Sequence, residues 1–437
     1  VKNRRLISID LGSAYTKVAV RRDWNAGSEL LRDLPLASDE VDFCVPSVVA
    51  RVESGGATRW MIGAAAAAQT PGDGVSIHRY WKARLFATGS PAQVRRDQMG
   101  QSAEASGGVD YERIAVEFFR GLREGLERSP YGEDVASSTV RVCVPRIDAA
   151  DMDGRVAGIL DAAGWRPAHG RVTVYEPESN ACGMFARGRN ATWHPPAPPF
   201  MPRAGRSLHL VKMLEPEGFL QALRRMSGSF GVLVIDIGGF TTDFGYVQFD
   251  TSFSSNDWHR PTIVQQSYEL GIRELDQAIY DSLDEEGQRE IRDLSPAQWD
   301  ALKVDLYRGA PVTVRGKTLL GGADAAERTA EALRSFTERV IAVRDTFLRD
   351  HVRGPINAQT LTGGGSMIAP LHRAVVQALA ADENARVYDL LDEEEPRRTL
   401  ESRGGRVDEQ AVEARARRNQ ELVRGGSAIG GSSVFFE

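Results

Sequence analysis

Twice in this chain an apolar run ends on an aspartate and breaks at once into small residues. The first is Leu6-Ile7-Ser8-Ile9-Asp10-Leu11-Gly12-Ser13-Ala14-Tyr15-Thr16-Lys17, and the second is Val232-Leu233-Val234-Ile235-Asp236-Ile237-Gly238-Gly239-Phe240-Thr241-Thr242-Asp243. Each reads as a buried strand that turns sharply into a second strand, through Val18-Ala19-Val20 and through Phe244-Gly245-Tyr246-Val247. Glycine at such a turn lets backbone N–H groups approach an anion, because no Cβ stands in the way. A carboxylate at the strand end can hold a hydrated Mg²⁺ through hard oxygen ligands. Two such hairpins in separate halves of one chain predict a phosphate clamped from both sides.

A chain of 437 residues has room for two or more core-bearing domains. Its 42% hydrophobic and 26% charged content is that of an ordinary globular protein. Net charge −6 and a pI near 5.8 argue against direct binding to nucleic acid or to an anionic membrane. Cys44, Cys143 and Cys182 are too scattered for a disulfide framework or a zinc site, so a reducing cytoplasm fits best. Val1–Arg5 leads straight into the strand bearing Asp10, which is not the pattern of a signal peptide. No apolar run is long enough for a membrane span.

Strand and helix patterns alternate along the chain. Ile114, Phe118, Leu122 and Leu126 predict an amphipathic helix over 111–128, followed by a strand at Thr139–Val144 and a helix around Arg155–Ala163. A strand at Val172–Tyr175 runs into Glu176-Pro177. Helices are expected around Arg273–Leu283 and over 324–350, the latter with Leu333, Phe336, Val340 and Phe347 on one side. Strand Thr360-Leu361-Thr362 then meets Gly363-Gly364-Gly365-Ser366. The alternation indicates an α/β core. The prolines between 187 and 217 predict a surface loop, and the charges of 390–420 a solvated loop and helix. For the apolar tail Val434–Glu437, docking on the body and binding a partner both stand. His78 reads as a surface residue, and Ala64–Ala68 as a helix.

In this order the parts resemble the actin-like ATPase superfamily, which includes actin, the nucleotide-binding domain of DnaK-type chaperones and the ParM-type plasmid-segregation actins. Asp10-Leu11-Gly12-Ser13 resembles the first phosphate motif, and Asp236–Asp243 the second. Val144-Pro145 with the helix after it, then Tyr175-Glu176-Pro177-Glu178-Ser179-Asn180-Ala181, resembles the connecting segment, and Leu270–Asp276 the segment after the second motif. Leu361–Ser366 resembles the adenosine motif, and Tyr80–Leu85 the segment that carries a phosphate-contacting lysine. The chain departs from the chaperones at Ser13-Ala14, where they have two threonines, and at Phe240, where a glycine is common. It also shows no substrate-binding β-domain or lid.

The resemblance implies a two-lobe fold, each lobe a mixed, ribonuclease H-like sheet flanked by helices. Lobe I spans 1–186 with a small subdomain at 51–110; the Pro-rich insertion is 187–217. Lobe II spans 218–389 with a small subdomain at 272–322, and 390–437 is a charged segment with a C-terminal helix and tail. ATP or ADP is expected between the lobes, with Asp10 and Asp236 holding Mg²⁺ and Asp243 standing behind them. Backbone at Gly12, Ser13, Gly238 and Gly239, with the hydroxyls of Ser13 and Thr241, is expected to cradle phosphates. Ala14, Tyr15, Lys17, Phe240 and Gly271 complete the predicted surround. Glu176 is expected to orient or deprotonate water, Lys82 to offset phosphate charge, and Gly363, Gly364, Gly365 and Ser366 to pass beneath adenosine. The expected activity is slow ATP hydrolysis. It would time self-association into filaments or, alternatively, gate a protein partner as a DnaK-like switch; a small-molecule kinase would need an acceptor motif not found in the chain.

Overall fold

The computed structural model describes residues 5–22, 28–37, 41–86, 109–146, 151–185, 229–250, 262–382, 385–394, 396–397, 401 and 408–433. The Pro-rich segment 187–217, residues 87–108 and the tail 434–437 lie outside these residues. The chain opens with β1 (Leu6–Asp10), β2 (Tyr15–Arg21), β3 (Glu29–Leu30) and β4 (Val45–Pro46). A small sheet follows, from β5 (Val49–Ser54), β6 (Ala57–Ile62) and, after α1 (Gly63–Ala67), β7 (Val75–His78). Next come α2 (Trp81–Phe86), α3 (Tyr111–Glu127), α4 (Gly132–Ser137), β8 (Thr139–Val144), α5 (Met152–Ala162), β9 (Thr173–Tyr175) and α6 (Glu176–Phe185).

The later part repeats this plan. It runs β10 (Ser229–Ile237), β11 (Thr242–Asp250), β12 (Thr262–Tyr268), α7 (Ile272–Asp281), α8 (Glu285–Arg292), α9 (Pro296–Tyr307), β13 (Val312–Val314) and β14 (Lys317–Leu320). Then follow α10 (Gly322–His351), β15 (Ala358–Thr362), α11 (Ala369–Ala380), β16 (Arg386–Tyr388) and α12 (Glu409–Ser433). The protein is therefore a mixed α/β fold. Its two principal sheets share one plan: β3-β2-β1-β8-β9 and β12-β11-β10-β15-β16, each an antiparallel meander continued by two parallel strands.

The apolar runs occupy the sheet centres, as unalternating runs require. Each of Leu6–Asp10 is buried, and β1 lies between β2 and β8. Phe118 and Leu122 of α3 pack with Ile7, Ile9 and Trp81 in one core; Phe336, Val340 and Phe347 of α10 pack with Leu233 and Ile235 in another. The predicted helices thus fall within three residues of where the sequence places them.

A third cluster joins α6, α12 and the other face of β10 through Ala181, Val232, Val234, Leu422 and Val423. Here the helix backbones touch. A Cβ on Gly183 would stand 2.0 Å from the Gly426 carbonyl oxygen, and one on Gly430 only 1.6 Å from that of Ser179. The C-terminal half of α12 is thus buried against elements of both principal sheets, in contrast to its exposed beginning around Asp408, Glu409 and Gln410.

His78 is a correction. It is 8% exposed, paired in the small sheet opposite Val49, and burial with Arg51 nearby pushes its pKa down to about 4. The surface reading fails because β7 is hydrogen-bonded to β5 and roofed by its neighbours. Ala64–Ala68 is helical as expected, up to Ala67.

Candidate functional site

The two aspartate turns come from different sheets and face each other. A Cβ on Gly239 would lie 3.2 Å from Ser13 Cβ, so the tips are in van der Waals reach. Each turn is closed by its own backbone: the Gly12 N–H donates to the Asp10 carbonyl at 3.0 Å, and the Gly238 N–H to that of Thr241 at 2.8 Å. A Cβ on Gly12 would meet the Tyr15 carbonyl oxygen at 2.1 Å, so only glycine fits that tip. The second turn rests on the start of α7, where the N–H groups of Ile272 and Arg273 donate to the carbonyls of Gly238 and Gly239, each at 3.0 Å.

Between the turns lies a cavity of about 560 Å³. Of the predicted residues, Asp10, Gly12, Ser13, Ala14, Tyr15, Lys17, Lys82, Glu176, Asp236, Gly238, Gly239, Phe240, Thr241, Asp243, Gly363 and Gly364 line it. Gly365 lines an adjoining space of about 330 Å³ with Tyr80, Arg273 and Lys303. Gly271 and Ser366 line neither: Gly271 supports the second turn from behind, and Ser366 Oγ donates to the Gly363 carbonyl at 2.6 Å. Their part is to hold loops in shape.

The cavity concentrates ionisable groups that the solvent hardly reaches. Lys17 Nζ donates to Asp10 Oδ2 at 3.2 Å. Burial disfavours that ammonium, yet Asp10, Cys44 and Asp236 nearby raise its pKa. Lys82, at 3% exposure, donates to Glu176 Oε1 at 2.5 Å. Even so, burial with Asp243 and Asp10 close by pushes the Glu176 carboxyl well up. Burial, Asp243 and Asp10 raise Asp236 to about 7, against the pull of Lys17 and of Asn180, whose Nδ2 donates to its Oδ2. Burial raises Asp243 as well. Carboxylates crowded in this way favour a bound cation.

Two further atoms point to a ligand. Ser13 Oγ and Asp243 Oδ1 are buried without a hydrogen-bond partner, which costs folding free energy unless something fills the cavity. Asp10 and Asp236, expected to hold Mg²⁺, both line the cavity, where Lys17 and Asn180 contact them. No group of three or more His, Cys, Asp or Glu among the described residues forms a metal cage. Two carboxylates with retained waters are a usual Mg²⁺ arrangement. The two carboxylates are compatible with a hydrated ion of this kind.

Several residues in or beside the cavity carry contacts that the sequence reading does not place there. Asn180 bridges Asp236 to Thr362 Oγ1, the latter at 2.9 Å. Ser427 Oγ donates to Asp236 Oδ2 at 3.5 Å, and Arg424 lines the cavity one helical turn earlier. Beside the adjoining space, Asp300 of α9 accepts from Arg79 at 3.3 Å and from Tyr15 at 3.4 Å. Only Asn180 stood within a recognised motif; the others carry no local signal. Neither protein-family models nor curated proteins gave a match to this chain.

Proposed function

We propose that this protein is a Mg²⁺-dependent ATP-binding and ATP-hydrolysing protein of the actin-like kind, its two sheets the centres of two lobes that close on nucleotide. The observation that carries the reading is the pair of glycine turns meeting over a cavity that also holds Asp10, Asp236, Glu176 and Lys82. One such turn has many uses; two from separate sheets, converging on shared carboxylates, fit a polyphosphate gripped from both sides.

In this proposal the N–H groups of the two turns and the Ser13 and Thr241 hydroxyls bind the β- and γ-phosphates. Adenosine lies along Gly363–Gly365 into the adjoining space. Asp10 and Asp236 would hold a hydrated Mg²⁺, which would neutralise charge on the transferred phosphoryl group. Glu176, raised in pKa by burial, is suited to take a proton from the attacking water. Lys82 fixes the carboxylate's orientation and keeps positive charge beside it. Phosphate release measured with and without EDTA tests the reading: Asp10→Asn and Asp236→Asn should each abolish metal-dependent turnover. Wild-type rates in both variants would refute the site.

As the output we propose nucleotide-timed self-association, which rests on the resemblance. A second reading, a non-polymerising DnaK-like ATP switch, draws on the hydrogen bonds of Arg79 and Tyr15 to Asp300, which tie the early part of the chain to α9 within one molecule. Sedimentation over a concentration series with Mg-ATP separates them: filaments require a critical concentration, and a monomer throughout removes that reading.

A further inference from the structure

The C-terminal helix α12 supplies a wall of the cavity from neither of the two hairpins. Arg424 and Ser427, three residues apart and so on one helix face, line it beside Asp10, Lys17 and Asp236. That face cannot withdraw. A Cβ on Gly431 would lie 2.2 Å from Ser8 Oγ, and one on Gly425 2.7 Å from Leu30 Cδ1. The Gly363 N–H donates to the Val423 carbonyl at 2.8 Å, and Glu421 is paired with Arg32. Arg424 sits between these anchors.

The charges of the cavity give this arginine its chemistry. Four carboxylates line the walls, and Lys17 and Lys82 are engaged by Asp10 and Glu176. Among the described residues no carboxylate pairs with either arginine that lines the cavity, Arg308 or Arg424, and Arg424 is the one that stands in the wall with Asp236's partner Ser427. A polyphosphate entering here meets negative walls and needs a cation that no neighbour has already neutralised. A planar guanidinium suits the task, since it can meet phosphate oxygens through two parallel N–H···O bonds.

We infer that Arg424 is a phosphate-binding residue, delivered to the site by the C-terminal helix of the same chain; the inference rests on the nucleotide reading above. Calorimetric titration of wild type, Arg424→Gln and Arg424→Lys with ATP, ADP and adenosine tests it. The Gln variant should bind ATP and ADP roughly 10- to 100-fold more weakly, the scale of losing charge-assisted hydrogen bonds, with adenosine changed less than about 2-fold. Its thermal midpoint should match wild type. Equal losses for all three ligands, or none, overturn the inference. Should Arg424→Gln fail to fold, Arg424→Lys decides: it keeps the charge but not the fork, and should lose ATP affinity several-fold. Wild-type ATP affinity in the Lys variant overturns the inference. A wild-type protein that binds none of the three fails differently, because it removes the nucleotide reading itself.

Discussion

The neighbouring glycines Gly363 and Gly364 give opposite predictions for one and the same substitution. Gly363 has φ 90° and ψ 161°, a region that side-chain-bearing residues scarcely enter, at a cost of about 1–3 kcal/mol. An added methyl would also stand 2.1 Å from Asp236 Oδ1 and 2.5 Å from the Ile237 carbonyl oxygen. Neither yields easily, since Ile237 ends a central strand and Asp236 is held by Asn180. Overpacking of this kind adds about 1–3 kcal/mol. Gly363→Ala should therefore cost roughly 2–6 kcal/mol and displace the Asp236 carboxylate. At Gly364 nothing lies within 4 Å of a built Cβ, so Gly364→Ala should leave stability within about 0.5 kcal/mol of wild type. Its methyl points instead into space shared by both cavities, and should weaken Mg-ATP binding. Urea unfolding followed by circular dichroism reads the first effect as a lower midpoint at unchanged slope. Calorimetry reads the second. Equal unfolding midpoints for the two variants would refute the steric argument.

Other substitutions test the buried charges. Lys82→Met strands Glu176 without its partner and should cost about 3–5 kcal/mol, and adding Glu176→Gln should return part of that loss; strictly additive losses in urea unfolding would show the pair to be uncoupled. Glu176→Gln alone should slow phosphate release while ATP affinity holds. For His78 the folded pKa, about 4, lies below the ordinary 6.5, so the unfolded chain binds the proton first as pH falls. Its contribution is therefore present above 6.5 and is lost progressively towards 4, by up to about 3 kcal/mol. Unfolding at pH 7 and pH 5 should show a smaller acid loss in His78→Asn, and an identical loss would contradict burial of the neutral ring. Arg79→Ala and Asp300→Ala should each speed nucleotide release in stopped-flow displacement, roughly 10-fold, with no further gain in the double variant. Additive effects would mean that the two residues act separately.

Much of this arrangement is local, and local features are legible in a sequence. Asp10 and Asp236 announce themselves because an apolar run, a carboxylate and a glycine turn occupy a dozen residues governed by short-range sterics. Phe336, Val340 and Phe347 reveal α10 by spacing alone. Lys82 is different: its sequence context allowed an outward lysine as readily as a site residue, and the buried contact with Glu176, 94 positions away, distinguishes the two. His78 was misread because nothing in Ser76-Ile77-His78 tells that β7 will be covered. The segment Gly425-Gly426-Ser427-Ala428-Ile429-Gly430-Gly431 has the composition of a linker, yet it is a helix whose glycines exist for contact with Ser179, Asn180 and Ser8.

By itself, then, the sequence determined the two aspartate hairpins, the strands beside Glu176 and Gly363 and the periodic helices, since each follows from the conformational preferences of adjacent residues. The small sheet of β5, β6 and β7 lay in a stretch it presents as loop-rich. Tertiary structure alone decided that Lys82 is buried against Glu176, that His78 is covered, and that Arg424 faces the cavity. Those outcomes depend on which surfaces pack together, and packing partners far apart in the chain leave no period or spacing to read.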